Sequence, residues 1–143
     1  MKIPQLSLFA ENRPGHLAGP CRLLAEHGIN IRALTLADTQ RFGILRLIVS
    51  HPAKARQALE AGGHVVTTSE VLAIAVPDQP GGLATVLSAL EGSPTNIEYM
   101  YAFPGGHGGQ AVLIFRFDQP DAALAVLQAK GVVVLPSELI LGG

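Results

Sequence analysis

Two short stretches hold the residues whose types and spacing could bind a small charged molecule: Asn12-Arg13-Pro14-Gly15-His16-Leu17 and Asn30-Ile31. A helix N-terminus carries unpaired backbone N–H groups and the positive end of the helix dipole, which suit a carboxylate. Asn12 adds a side-chain oxygen that can accept from an ammonium group, and Gly15 lets a ligand approach the backbone closely. Asn30 supplies a second amide at the start of a strand, an unfavourable place for Asn unless its side chain has work elsewhere. Ammonium acceptors beside carboxylate donors make a zwitterion site. The same Pro and Gly also make an ordinary turn into a helix for backbone reasons alone, and the spacing leaves both readings open.

Both stretches recur. Asp78-Gln79-Pro80-Gly81-Gly82-Leu83 repeats the first at a shift of 78 − 12 = 66, and Asn96-Ile97 repeats the second at 96 − 30 = 66. Farther on, Pro52 meets Pro120, and Gly63-His64-Val65-Val66 meets Gly131-Val132-Val133-Val134, at 120 − 52 = 68. The two extra residues fall near Gly105-Gly106-His107-Gly108-Gly109, a glycine-rich turn that tolerates insertion. The chain reads as two modules, 1–69 and 70–143, with no Pro/Gly/Ser linker at the Ser69-Glu70 junction. The modules are expected to pack against each other.

The elements that must position these residues follow from periodicity. Leu6, Leu8 and Ala10 alternate with polar Gln5 and Ser7, the period of a half-buried strand. Leu17, Cys21, Leu24 and Ala25 fall at helical spacing, with Pro20 in the first turn and Gly28 closing the helix. Ile29 to Ala37 and Gly43 to Ser50 predict a hairpin. Pro52 opens a second helix carrying Ala55, Ala58 and Leu59, and His64 to Ser69 predicts the last strand. The second module repeats the series: strand Val71 to Val76; helix through Leu83, Val86, Leu87 and Leu90; hairpin Ile97 to Phe103 with Ala111 to Phe117; helix through Ala123, Val126 and Leu127; strand Val132 to Leu135. The fold class is α+β: two ferredoxin-like βαββαβ modules, their antiparallel sheets packed side by side.

Composition narrows the function classes. With 48% hydrophobic and 15% charged residues the chain can build a packed core. A formal net charge of −1 with no Lys/Arg cluster argues against nucleic acid or an anionic membrane as partner. No apolar run approaches the roughly 20 residues of a membrane helix, and no secretory leader is visible at Met1-Lys2-Ile3-Pro4-Gln5, so a cytoplasmic location is expected. Cys21, the single cysteine, is expected as a small buried hydrophobe. His16, His27, His51, His64 and His107 lack His-x-His or His-x-x-x-His spacing, so no metal site is expected. No serine lies in a nucleophile elbow, the Gly105–Gly109 cluster has no strand–loop–helix context for phosphate, and Asp118-Gln119-Pro120-Asp121 reads as a helix cap. Arg46 and Arg116 read as side chains snorkelling from apolar strands. No catalytic set and no cofactor are expected.

Asn-Arg-Pro-Gly-x-Leu before a helix at Asn12–Leu17, with Gly28-Ile29-Asn30-Ile31 after it, resembles the ACT domain, and is especially similar to the serine-binding regulatory domain of phosphoglycerate dehydrogenases. The resemblance covers the whole chain as two ACT repeats. The His that the serine-binding pattern places two residues before the Asn is replaced here by Ala10 and Val76, and the second copy reads Pro94-Thr95-Asn96-Ile97 without the Gly-Ile lead-in. The resemblance implies a non-catalytic regulator that binds a free amino acid where two modules pair. The ligand-binding residues would be Asn12 through Leu17 of one module, facing Asn30 and Ile31 of a paired one, with Asp78, Gln79, Pro80, Gly81, Gly82, Leu83, Asn96 and Ile97 at the matching positions. It also implies a homodimer and an enzyme of amino-acid metabolism as the regulated partner. The alternatives are a ligand-free subunit that docks on such an enzyme, and a small enzyme, which would need an acid/base set absent from the motifs.

Overall fold

The computed structural model describes residues 1–11, 13–38 and 41–142; Asn12, with the zwitterion role expected of it, lies outside the described residues. The chain divides into two compact units. One comprises Pro4–Ser69 together with the residues from Leu141 onward, and the other Met1–Ile3 with Glu70–Ile140.

In the N-terminal unit the elements are β1 (Ile3–Glu11), α1 (Ala18–Glu26), β2 (Ile31–Asp38), β3 (Phe42–Val49), α2 (Pro52–Ala61) and the first residues of β4 (Val66–Val76). β3 pairs antiparallel with β1 on one side, Leu8 opposite Leu45, and with β2 on the other, Leu36 opposite Leu45. The alternating positions Leu6 and Leu8 bury beside Leu45, Leu47 and Val49, and Leu24, Ala55 and Leu59 from the two helices close this core. α1 ends as its glycine requires. Gly28 takes φ +68°, so its N–H reaches Ala25 O at 3.0 Å and the Ile29 N–H reaches Leu24 O at 2.9 Å. That pair of bonds is a Schellman motif, which an L side chain would strain. Pro52 opens α2 at its first turn, where the missing N–H costs nothing.

The C-terminal unit repeats this order with the rest of β4, α3 (Gly82–Ser88), β5 (Ile97–His107), β6 (Gln110–Phe117), α4 (Pro120–Ala129) and a short α5 (Ser137–Leu141). β6 pairs antiparallel with both β4 and β5. Leu72, Ile74 and Val76 pack with Phe115, Phe117, Val86 and Leu127. The two phenylalanine rings stack at 5.6 Å. Met1–Ile3 is held to this unit by Lys2, whose Nζ lies 3.0 Å from Asp121 and 3.4 Å from Glu70. The hydrogen bond to Asp121, then that to Glu70, raises the Lys2 pKa.

Several local expectations change. Gln5, placed on the solvated face by alternation, is 0% exposed and donates from Nε2 to Ser7 Oγ at 3.5 Å. Cys21 is half-buried rather than enclosed. Residues 132–135 reduce to one antiparallel bridge, Ile74 to Val134, with Leu135 N–H donating to Ala73 O at 2.8 Å, because Pro136 stops the ladder. α5 was not expected; Pro136-Ser137-Glu138 ahead of an apolar pair is its start signal. Asp118 does not cap α4. Its N-cap residue Gln119 makes no side-chain cap bond, and the Asp118 carboxylate turns instead to the start of β5. Arg116 does not snorkel freely: Nε pairs with Glu98 at 3.2 Å, and a terminal N–H donates to the Glu70 carbonyl at 2.8 Å.

Candidate ligand-binding site

The loop between β1 and α1 is a turn whose backbone is set by Gly15 at φ +80°. Nothing lies within 4 Å of where a Gly15 Cβ would sit, so the loop backbone is open to an approaching molecule. Ala18 N–H donates to Gly15 O at 3.2 Å and Cys21 N–H to Leu17 O at 3.3 Å. Pro20, in the first turn of α1, has no N–H to donate. Arg13, Pro14 and Gly15 are exposed. The Arg13 guanidinium pairs with Glu11 at 3.3 Å. The His16 ring is tied to Arg13 O through Nδ1 at 2.6 Å. Leu17 packs against the core.

Asn30 lies at the other end of α1, which spans nine residues, or roughly 13 Å. Within one module, then, the loop and Asn30 are kept apart, and Ile31 packs inward against the core. Asn30 is exposed, and its backbone is locked at both ends. Its N–H donates to Ser50 Oγ at 3.0 Å and its carbonyl accepts from Ser50 N–H at 2.9 Å. Asn30 lines an open cleft of about 370 Å³, together with Arg32, Ser50, His51, Leu141 and Gly142.

The C-terminal unit repeats the frame with different groups. Gly81 has φ +84°. Gly82 is buried, and a Cβ there would run into the Pro77 carbonyl. Asp78, Gln79 and Pro80 are exposed. Asp78 lines a second open cleft, of about 430 Å³, with the hairpin tip at Gly105–Gln110. Leu83 is 37% exposed and Ile97 packs on the core. Asn96 is exposed and locked like Asn30. Its N–H donates to Asp118 Oδ1 at 2.7 Å and its carbonyl accepts from Asp118 N–H at 3.1 Å. The Asn96 N–H, followed by the Thr95 hydroxyl at 3.1 Å, holds the Asp118 carboxyl below the ordinary aspartate range.

The sequence motifs did not point to Arg32, Ser50 and His51 around Asn30. The signal was present in the repeat, where Ser50 and Asp118 are matching positions, 118 − 50 = 68. Among the described residues no group of three His, Cys, Asp or Glu is placed to hold a metal ion, and no helix is long and apolar enough to cross a membrane.

Comparison with known proteins agrees with this architecture. The solved structure of protein BT0572 from Bacteroides thetaiotaomicron is 38% identical, with a TM-score of 0.92 over 100% of this chain and 98% of that one. The ligand-free regulatory subunit of aspartate kinase from Thermus thermophilus shares the fold at 19% identity and a TM-score of 0.64, over 88% of this chain and 91% of that one. E. coli aspartokinase III in complex with lysine and aspartate shares it at 16% identity and 0.51, over 90% of this chain and 31% of that one. No functionally curated protein matches the sequence. The family profile described as an ACT domain pair matches residues 1–138, and the chain belongs to that family of regulatory modules.

Proposed function

We propose that this chain is a non-catalytic regulatory protein that binds a free amino acid between paired ACT modules. One observation carries the reading: each module presents an exposed loop ahead of a helix and, after that helix, an exposed asparagine whose backbone is clamped. A second module can bring its loop to the Asn30 end of the first. In this reading residues 13–17, with Asn12, receive the α-carboxylate and α-ammonium of the ligand, and Asn30 of a paired module completes the site. Residues 78–83 and Asn96 do the same for the second copy, with modules at 1–69 and 70–143. The chain acts as a homodimer in the cytoplasm on an enzyme of amino-acid metabolism. The lysine and aspartate held by E. coli aspartokinase III, a structural neighbour, support an amino acid as ligand class.

A thermal-shift panel of the common amino acids tests this. One or two of them should raise Tm by several degrees, because a ligand that binds only the folded state stabilises by mass action. Silence across the panel overturns the reading in favour of a subunit that docks on an enzyme without ligand.

A further inference from the structure

The two residues by which the second copy exceeds the first form a bulge in its hairpin. In the β5–β6 ladder Phe103 pairs with Val112 and His107 with Gln110, so Pro104, Gly105 and Gly106 stand opposite Ala111 alone. The first copy runs straight through the same place. Ala37 pairs with Ile44 and Asp38 with Gly43, where Ala37 matches Phe103, 103 − 37 = 66, and Gly43 matches Ala111, 111 − 43 = 68. A bulge bends its strand and re-aims what the strand carries. Glycine makes this one possible: Gly105 and Gly106 hold φ +93° and +57°, and Gly108 and Gly109 hold +59° and +78°. Open space surrounds the points where a Cβ would sit at Gly105, Gly108 and Gly109, so the peptide groups of the tip are uncovered.

The same ladder brings a carboxylate beside the bulge. Ala111 pairs on its other side with Val76, and Asp78 follows two residues later. Asp78 and the tip residues from Gly105 to Gln110 therefore line one open cleft of about 430 Å³, within the roughly 300–1,000 Å³ of small-molecule sites. Phe103 and Leu113 give the cleft an apolar wall. Among the described residues its lining holds one carboxylate and no Lys or Arg. Glu98 is neutralised by Arg116 and Asp118 is held by the Asn96 N–H, whereas Asp78 takes no ion pair or side-chain hydrogen bond among the described residues. The first copy has neutral Asn12 at that position and keeps one-for-one pairing as far as Asp38 and Gly43. Two features peculiar to the second copy thus meet in one cleft.

We propose that this cleft binds a small organic cation through a primary ammonium group, received by Asp78 and the peptide carbonyls of the bulge, with its carbon chain against Phe103. An ammonium carries three N–H donors and no acceptor, so a carboxylate and bare carbonyls satisfy it. An anion would meet repulsion from Asp78 and no compensating cation. The site shares Asp78 with the loop assigned above to an amino acid, but it is complete within one module and needs no paired Asn96. It goes beyond the amino-acid reading and is tested apart from it.

The test is titration of the full chain with putrescine, followed through the backbone amide resonances of Gly105, Gly106, Gly108 and Gly109. Butanediol, the same carbon chain with hydroxyls in place of the amines, is the neutral control. Putrescine should shift those resonances saturably, and butanediol should not. Asp78→Asn should weaken putrescine by about threefold to fivefold, the upper range of an exposed ion pair. Glu91→Gln, the same charge change at an exposed residue outside the cleft, should leave the affinity unchanged. Deleting Gly105 and Gly106 restores the one-for-one register of the first copy and should abolish the response at Gly108 and Gly109. If that variant fails to melt cooperatively, Asp78→Asn decides. An equal response to butanediol, or an affinity unchanged by Asp78→Asn, overturns the proposal. So does equal weakening by Glu91→Gln, which would mark a general charge effect, or a response that survives the deletion in a folded chain. Putrescine binding beside a silent amino-acid panel leaves this site standing and removes the amino-acid reading; the reverse result removes this site alone.

Discussion

The Asn30 and Asn96 ends of the two modules make the same two backbone hydrogen bonds with different chemistry. Ser50 accepts the Asn30 N–H through a neutral hydroxyl at 3.0 Å; Asp118 accepts the Asn96 N–H through a carboxylate at 2.7 Å. The returning bond, from the N–H of Ser50 or Asp118 to the asparagine carbonyl, is retained in both. What the fold preserves is the clamp on the asparagine backbone. The charge around it has diverged, from Arg32, Ser50 and His51 to Glu98, Asp118 and Gln119. The loops differ in the same way. His16 stands half-exposed where Gly82 is buried against Pro77, and α1 has nine residues where α3 has seven. One copy keeps an open loop over a longer helix; the other draws its loop down onto the strand.

The sharpest way to break this comparison is at Gly82. Its Cβ would meet backbone that cannot swing aside, so Gly82→Ala should destabilise the protein by about 2 kcal/mol or more, in the range of overpacking. His16→Ala at the matching position should cost less than about 1 kcal/mol, the worth of one ordinary hydrogen bond. Chemical denaturation of the two variants gives the contrast, and equal midpoints would show that the loops are built alike. Next comes Gly15→Val. It meets no neighbour but must hold φ +80°, which costs roughly 1–2 kcal/mol. Ligand affinity, measured by calorimetry, should fall at least about tenfold as the loop backbone becomes shielded. Unchanged affinity would remove the loop from the site.

Asp118 and Ser50 should separate by pH. The Asp118 pKa lies below its ordinary value chiefly because the ionised form accepts the Asn96 N–H. Its stabilising effect is thus present above the unfolded-state pKa and lost as pH falls through the folded-state one. The melting gap between wild type and Asp118→Asn should be present near neutral pH and shrink in acid below about pH 4. Ser50→Ala, which removes a neutral hydroxyl and no carboxylate, should show a small loss, about 1 kcal/mol or less, that does not follow this acid window. A pH-independent gap for Asp118→Asn would contradict the charge contrast. The smallest effect is expected at Asp78, an exposed side chain. Asp78→Asn should change one binding phase by a few-fold and leave the other within error.

Much of the fold was legible from periodicity and punctuation. Alternation at Leu6, Leu8 and Ala10, Gly28 at the end of α1, and Pro52 and Pro120 at helix starts are local signals, and local physics decides them. Gln5 was misread because alternation reports only which face a side chain takes, and not what covers that face. Residues 132–135 looked like a strand from their valines, but Pro136 ends the ladder after a single bridge. The loop half of the proposed site is contiguous in the sequence, so a motif can propose it. No motif proposes the amide half beyond Asn30 itself. Arg32, Ser50, His51 and Gly142 come from a bulge, the β3–α2 junction and the C-terminal residues. Only tertiary packing gathers them.

The central claim is that one module's loop and another module's asparagine complete a single amino-acid site, and complementation measures it most directly. Gly15→Val and Asn30→Ala chains, differently tagged, are co-expressed, the mixed dimer is isolated, and calorimetry is run with the amino acid giving the largest thermal shift. Each variant alone should lose the first-copy binding phase and keep the second. The mixed dimer, which reunites one intact loop with one intact Asn30 across its interface, should recover the first-copy phase at wild-type affinity and half that phase's wild-type stoichiometry. A mixed dimer that lacks the first-copy phase, like its parents, would contradict the account, because the loop and Asn30 would then not act across paired chains.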